Sequence, residues 1–354
     1  SAGFALAVLS GCALHNGSSI SEPDSAKKLS RIAFGSCIDQ SKPQPIWRAI
    51  NASKPDLFIF GGDNVYASEQ PWRLEKLQNA YAQLAQNTGF AQLRNATPLQ
   101  AIWDDHDYGL NDGGADFPHK QASKDEFLKF WHLAADDPRR SREGLYHSVI
   151  EGDVGRKVQI ILMDCRAFRS SLKPTDVRNA PGKERYLPDA DPTKTMLGAA
   201  QWLWLEQQLL LPADVRLIVS GVQVVAEGHG WECWGNFPAE QAKLYKLISN
   251  TSAKGVVFLS GDRHIGAMYK HIASNSSLNY PLYELTSSGM THAWATAKEV
   301  GPNRLGVLIT QNHFAQIDID WSTRNVSLSL IGEQGQSLKQ LTIALSELSS
   351  SDLV

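Results

Sequence analysis

The chain has 354 residues, 20% charged and 42% hydrophobic, the balance of a globular protein with a large buried core. Its 34 Lys+Arg against 37 Asp+Glu leave a formal net charge of −3, so no basic field exists to hold nucleic acid or an anionic membrane by charge alone. The composition also excludes intrinsic disorder, collagen, a coiled coil and a multi-spanning membrane protein.

Residues 4–9 (FALAVL) form a short apolar run that leads into Ser10-Gly11-Cys12. Such a run suits a signal peptide and is too short to span a bilayer. Leu9-Ser10-Gly11-Cys12 resembles a bacterial lipobox, in which Cys12 carries the lipid. The alternative is a buried helix fragment. On the lipobox reading, residues 1–12 are a truncated lipoprotein signal peptide and 13–30 a Ser-rich tether. Residues 31–346 form one folded domain and 347–354 a C-terminal tail. The protein is then exported to the periplasm or cell envelope and meets the membrane only through an N-terminal lipid. Of the remaining cysteines, Cys165 follows the apolar run VQIILM and reads as a small buried hydrophobe. A Cys165–Cys233 disulfide stays open.

Apolar runs of strand length occupy residues 31–34, 57–60, 99–103, 158–163, 217–219 and 256–259. Their hydrophobicity is continuous, which predicts strands buried on both faces with helices covering them. Helical periodicity marks residues 72–86, 124–132, 198–211 and 238–249. The last begins with Pro238 and carries Glu240 in its first turn, as helix N-termini prefer. From residue 306 the pattern changes to alternation, which predicts half-buried antiparallel strands closing the second sheet of a sandwich. The expectation is a single α/β domain of two packed sheets with helices outside.

Four of the apolar runs end in groups that bind cations. RIAF leads to Gly35-Ser36-Cys37, LFIF to Gly61-Gly62-Asp63-Asn64-Val65-Tyr66, LQAIW to Asp104-Asp105-His106-Asp107, and VVFL to Ser260-Gly261-Asp262-Arg263-His264. Parallel strands would bring these ends to one edge, where α/β ligand sites form. Buried together, the carboxylates would repel, and a pair of multivalent cations bridged by Asp63 removes that cost.

These blocks resemble the calcineurin-like metallophosphoesterases. Gly-Ser-Cys37, Gly-Asp-Asn-Val-Tyr66 and Trp-Asp-Asp-His-Asp-Tyr-Gly are similar to the PhoD-type alkaline phosphatase and phosphodiesterase family within them. So are the stretches MDCRAFRS, LGAAQWLWLEQQL, LYELTSSGMTHAW and FAQIDIDW, and the likeness covers roughly residues 30–325. It implies a four-layer sandwich, two packed mixed β-sheets flanked by helices. It also implies one metal held by Cys37, Asp63, Tyr66 and His264, where thiolate and phenolate suit ferric iron. The second metal takes bridging Asp63, Asp105 and Asp262, with the Gln223 amide oxygen as an addition or else as a strand-end cap. All-oxygen ligation there suits calcium, with magnesium or manganese as substitutes. The wider superfamily usually places His where Gln223 and Asp262 stand, which speaks against an imidazole-rich site.

The resemblance assigns His106 to protonate the leaving alkoxide, with Asp107 orienting its ring. Arg166 is expected to clamp phosphate oxygens, or else to pair with an acid. His229, Trp231 and Trp234 lie either at the substrate mouth or in the core. The function implied is an exported, metal-dependent phosphoric ester hydrolase of alkaline phosphatase type. It would release phosphate from small-molecule or lipid monoesters, and in part from diesters, by attack of metal-activated hydroxide. One alternative is a phosphodiesterase or phospholipase-D-like activity on the same site. Another is a non-catalytic, metal-stabilised surface lipoprotein that binds phosphoryl or glycan ligands.

Overall fold

Strands without a polar face need cover on both sides, and the way this chain supplies it positions the candidate site. The computed structural model describes residues 28–272, 278, 280–299 and 301–349. In chain order its first part forms β1 (Arg31–Gly35), α1 (Ile46–Ser53), β2 (Leu57–Phe60), α2 (Leu74–Ala85), α3 (Thr88–Ala96), β3 (Leu99–Ala101), α4 (Asp105–Tyr108) and α5 (Lys120–Phe130). The middle adds β4 (His147–Glu151), β5 (Val158–Leu162), β6 (Lys173–Pro174), β7 (Tyr186–Leu187), α6 (Gly198–Leu209), β8 (Val215–Ser220) and α7 (Pro238–Asn250). The last part contributes β9 (Val256–Ser260), β10 (Gly266–His271), β11 (Leu282–Ser287), β12 (His313–Asp320), β13 (Asn325–Gly332) and β14 (Ser337–Ala344).

Two mixed six-stranded sheets result, ordered β14-β13-β12-β1-β2-β3 and β10-β11-β9-β8-β5-β4, with β6 and β7 as a separate ribbon. β1, β2 and β3 run parallel, as do β5, β8, β9 and β11. The alternating C-terminal segments pair antiparallel onto β1. They therefore widen the sheet that β1 begins, rather than completing the other one as expected.

Side-chain alternation sorts the core into two layers. Leu217, Val219, Val257 and Leu259 of the second sheet pack with Ile32, Phe34, Ile317 and Leu328 of the first. Their neighbours Ile218 and Phe258 point the other way, onto Trp202 and Leu205 of α6 and Leu244 and Ile248 of α7. On the outer face of the first sheet, Phe58 and Phe60 meet Trp47 of α1 and Phe90 of α3. Local signals agree with the packing. Asn87 caps α3 by accepting from Gly89 N (2.9 Å) and Phe90 N (3.1 Å). Glu240, in the first turn of α7, also accepts from Met196 N (2.7 Å) and Trp202 Nε1 (2.8 Å), which docks α6 against α7.

Cys12, the signal-peptide segment and most of the tether lie outside the described residues. Leu29 is buried and its carbonyl accepts from Trp321 Nε1 (2.8 Å), and Leu348 is buried in a short 3-10 turn. Cys37, Cys165 and Cys233 are all free, so no Cys165–Cys233 disulfide forms. Among the described residues no helix is long and apolar enough to cross a membrane.

One buried histidine makes the fold sensitive to acid. His313 opens β12 with no exposure; its Nδ1 donates to Gln311 O (2.8 Å) and its Nε2 accepts from Ser288 N (3.3 Å). The neutral ring uses both nitrogens, and burial pushes its pKa down to about 4. The unfolded chain, near 6.5, takes the proton first, so stability is full above that pH and falls as pH drops towards the folded value. Urea unfolding is expected to lose on the order of 3 kcal/mol from this group across that window. His313→Gln should flatten the slope; an unchanged slope would refute the assignment.

Candidate metal centre

The carboxyl ends of β1, β2 and β3 in one sheet face those of β8, β9 and β11 in the other, and the candidate site forms between them. Close approach of the two edges depends on missing side chains. A Cβ on Gly221 would stand 2.3 Å from Asp104 Oδ1, and one on Gly261 would stand 2.6 Å from Ser36 Oγ. The backbone beyond the strands is strained where the donors sit. Cys37 (φ 63°), Asp63 (φ 49°), Asp262 (φ 67°) and His264 (φ 53°) all adopt the left-handed region, at roughly 1–3 kcal/mol each. Four such residues at one crevice mark a place where geometry was kept at the expense of stability.

Donors from the loops after β1, β2 and β9 converge at one point. One ligand atom each from Cys37, Asp63 and His264 lies within 4.8 Å of the others. The Tyr66 hydroxyl is 3.0 Å from His264 Nε2 and 3.4 Å from Asp63 Oδ2, and Cys37 Sγ is 3.5 Å from that same oxygen. Further donors crowd the neighbouring volume, where Asp63, Asp105 and His106 form one group and Asp104, Asp105 and Asp262 another. A third group, Asp112, Glu232 and Asp262, was not anticipated. Gln223 Nε2 donates to Tyr269 Oη (3.2 Å) and Thr286 Oγ1 (3.0 Å), leaving its Oε1 buried without a partner. Asp104 Oδ2 and Asp105 Oδ1 are likewise buried and unpartnered.

The electrostatics of these groups demand positive charge. Burial pushes the Cys37 thiol up to about 11, and burial with neighbouring carboxylates holds Asp63 and Asp262 well above the usual acid range. Burial pushes His264 down to about 3, so it is a neutral donor. Among the described residues, the guanidinium groups of Arg166, Arg169 and Arg263 and the His106 ring stand near the acids Asp63, Asp104, Asp105, Asp107, Asp112, Glu232 and Asp262. Of the three arginines, Arg263 is already paired with Glu299. Multivalent cations fit this excess of acid and the unpartnered oxygens.

Two expected roles are corrected. Asp107 does not touch the His106 ring. Its carboxylate instead accepts from Asp63 N (3.2 Å), Asn64 N (3.4 Å), Asn64 Nδ2 (2.7 Å) and Asp104 N (2.7 Å), which ties the β2 loop to the β3 loop. Ser68 Oγ holds the His106 ring, 2.7 Å from Nδ1, and the ring stacks on Tyr66 with centroids 4.1 Å apart. Arg166 is not a phosphate clamp. It has no exposure, and its guanidinium pairs with Asp104 (2.6 Å) and Glu232 (2.7 Å), taking the alternative of an acid partner.

The remaining loop residues divide between core and rim. His229 and Trp234 are buried, whereas Trp231 lies under Arg263 (4.4 Å) and edge-on to Trp294 (5.8 Å) at the crevice rim. Sequence reading missed Ser68, Asp112, Glu232 and His292. His292 packs 4.3 Å from His264 and 5.0 Å from Tyr66, centroid to centroid. Ser68 and Asp112 each stand a few residues beyond a ligand block, and Glu232 lies inside GHGWECWG, so proximity to those blocks was the usable signal.

The family model described as PhoD-like phosphatase matches residues 32–320. Alkaline phosphatase D of Bacillus subtilis (strain 168) is 21% identical over 225 residues, covering 58% of this chain and 37% of that protein. The chain thus spans little more than a third of that relative's length. A solved PhoD structure superposes with a TM-score of 0.68 at 16% identity, over 91% of this chain and 70% of that one. A purple acid phosphatase from yellow lupin (Lupinus luteus) seeds gives 0.59 at 11% identity, over 92% and 57%. Both likenesses are of fold, the metallophosphoesterase sandwich.

Arg166 provides a test of the buried network. Arg166→Met leaves Asp104 and Glu232 without their shared partner, and breaking such a pair costs about 3–5 kcal/mol. Denaturant unfolding of the variant is expected to show a loss of that size. A near-neutral result would mean that Arg166 is not the charge holding these acids.

Proposed function

Because the chain belongs to the PhoD-like phosphatase family, we propose that this phosphoesterase hydrolyses phosphate monoesters at the crevice between the sheets, using ferric iron and calcium. The observation that carries the reading is the convergence of Cys37, Asp63 and His264 within 4.8 Å, with the Tyr66 hydroxyl 3.0 Å from His264. Thiolate and phenolate together favour a trivalent, redox-type metal over magnesium or calcium. Asp63, Asp105 and Asp262 would hold the second ion through oxygen alone, and the unpartnered Gln223 Oε1 supplies a further ligand of the same kind. Bound there, the metals supply Lewis acidity that polarises phosphoryl oxygens and acidifies water.

The chain's own groups do the rest. Asp63 belongs both to the group with Cys37 and His264 and to the group with Asp105 and His106, so its carboxylate would be shared by the two ions. His106 has Nδ1 committed to Ser68, which leaves Nε2 as the atom that holds a proton for the leaving alcohol. The stack on Tyr66 fixes the plane of that ring beside the first donor set. Asp107 keeps the β2 and β3 loops in register, so His106 and Asp63 move as one unit; His106 N also donates to Asp63 Oδ1 (3.1 Å). A binder without turnover has no use for this arrangement, and membership of a phosphatase family sets that alternative aside. The diester alternative shares the same chemistry and differs only in what the crevice admits. Export with a lipid on Cys12 rests on the lipobox and is checked by mass spectrometry of the N-terminal peptide.

Turnover of nitrophenyl phosphate above bis-nitrophenyl phosphate is the expected result, and the reverse order would assign a diesterase. His106→Ala should lower kcat by about 100-fold or more with metal content unchanged. Ser68→Ala should give a smaller fall and a shifted pH profile, since it frees the ring without removing it. Unaltered kcat in His106→Ala would sink the acid role.

The metals have their own test. Elemental analysis should find iron and calcium, and Asp63→Asn should lose both. A calcium chelator is expected to abolish activity before iron leaves, because thiolate and phenolate hold the first metal. The iron-replete enzyme should be coloured, with Tyr66→Phe shifting or bleaching the visible band and Cys37→Ser weakening iron retention. A colourless iron-replete enzyme, or one that keeps its spectrum in both variants, would rule out the ferric assignment.

A further inference from the structure

A second concave site is lined by residues other than the metal donors. A cavity of about 350 Å3 lies beside the first turns of α5 and the segment 140–144, lined among others by Lys120, Lys124, Arg140, Arg142, Glu143 and Trp103. Four cationic side chains thus face one carboxylate. Glu143, itself largely exposed, reaches Lys120 (2.8 Å).

The cations are otherwise held by backbone carbonyls, which orient them without neutralising them. Lys124 is buried and donates to Arg142 O, and Lys120 Nζ also reaches Ala167 O (3.1 Å). Arg140 donates to Ala134 O (2.7 Å) and Leu133 O (2.5 Å). Arg142 donates to Tyr146 O and lies over the Tyr146 ring at 3.8 Å, while its Nε finds no acceptor. Trp103, 2% exposed, brings an indole Nε1 that is likewise without a partner. The nearby acids have other partners, and Asp125, which also acts on Lys124, accepts from Gln121 Nε2 (2.8 Å). Asp137 pairs with Arg139, and Asp164 accepts from Leu145 N, Arg166 N and Ala167 N.

Helix α5 adds to the excess. It starts with Lys120, has no side-chain cap and carries no acid in its first turn. A lysine there opposes the positive end of the helix dipole, an arrangement that an anion between them would relieve. Burial lowers the pKa of Lys124 and of Arg142, and outweighs the opposing pull of Asp125, Asp164 and Glu143 on the first and of Asp137 and Asp164 on the second.

We propose that this cavity binds a multiply charged oxyanion of the phosphate type, at a site separate from the metal centre. The required charge is at least that of phosphate, because Glu143 already offsets one cation. The tetrahedral oxyanion can be free phosphate or the phosphate group of an ester, and both present the same acceptor oxygens to guanidinium and ammonium donors. The inference stands without the phosphoesterase reading, since no metal donor takes part in it.

Calorimetric titration of the metal-loaded enzyme with inorganic phosphate is expected to resolve two sites per chain. Glu143→Gln removes the opposing carboxylate and should tighten one of them roughly three- to fivefold. Lys120→Gln should weaken that same site by a similar factor, and Lys120→Arg should restore it. A gain of affinity in Glu143→Gln is something a misfolded variant cannot imitate. A parallel titration with glycerol phosphate in an Asp63→Asn background, where turnover is blocked, tells the two sources apart. Binding there that responds to Glu143→Gln assigns the phosphate group of an ester, and phosphate binding alone assigns the free anion. A wild type in which no phosphate site is shifted by Glu143→Gln and Lys120→Gln would overturn the proposal. A wild type whose one phosphate site is shifted by both and persists in Asp63→Asn would count against the metal-centre reading and leave this one standing.

Discussion

The Asp107 carboxylate is the contact on which the rest of the site depends. It accepts from the backbone of Asp63, Asn64 and Asp104 and from the Asn64 side chain, joining the loops that follow β2 and β3. Those loops supply Asp63, Tyr66, Asp105 and His106. A carboxylate taking several N–H donors is stabilised as an anion, against the burial that pushes Asp107 up to about 8. Here a buried carboxyl group does structural work in the middle of a cluster of acids. That commitment of its oxygens explains why Asp107, although it neighbours His106 in sequence, is not free to orient the imidazole.

From this clamp the site extends across to the other sheet. Asp104 Oδ1 meets Arg166, which also binds Glu232, and Arg169 reaches the far oxygen of Glu232 (2.9 Å). The two arginines form a buried floor that fixes the acids from below. The donors themselves sit above it on backbone in the left-handed region. Desolvated carboxylates, strained φ angles and unpartnered oxygens each lower stability, and they occur together at a single crevice. A pair of bound cations would offset all three at once, which is why affinity for metal and folding are expected to be linked here.

The outer layers bear these costs. The first sheet packs aromatic side chains under α1 and α3, and the second seats α6 and α7 on its outer face. Together they bury most of the chain's large hydrophobic side chains. Rigid strands then hold loop ends to the tolerances that metal ligation requires.

Much of this was legible in the sequence for a simple reason. A central strand buried on both faces must be continuously apolar, and a ligand at its end must be polar, so the boundary between them is sharp. Residues 31–34, 57–60, 99–103 and 256–259 announced β1, β2, β3 and β9 in that way, and the polar blocks that hold Cys37, Asp63, Tyr66, Asp105, Asp262 and His264 come next along the chain. The half-buried β4, the mixed sequence GAMYKH of β10 and the short α1 carried no such contrast. What only tertiary structure decided were the partners of each polar group. Arg166, Asp107, Ser68 and Glu232 could each have faced substrate, solvent or one another, because a side chain's type is local whereas its neighbours are set by strands far apart in the chain. The sequence determined which chemistry the crevice contains; the packing of two sheets decided which residues perform it and which hold the others in place.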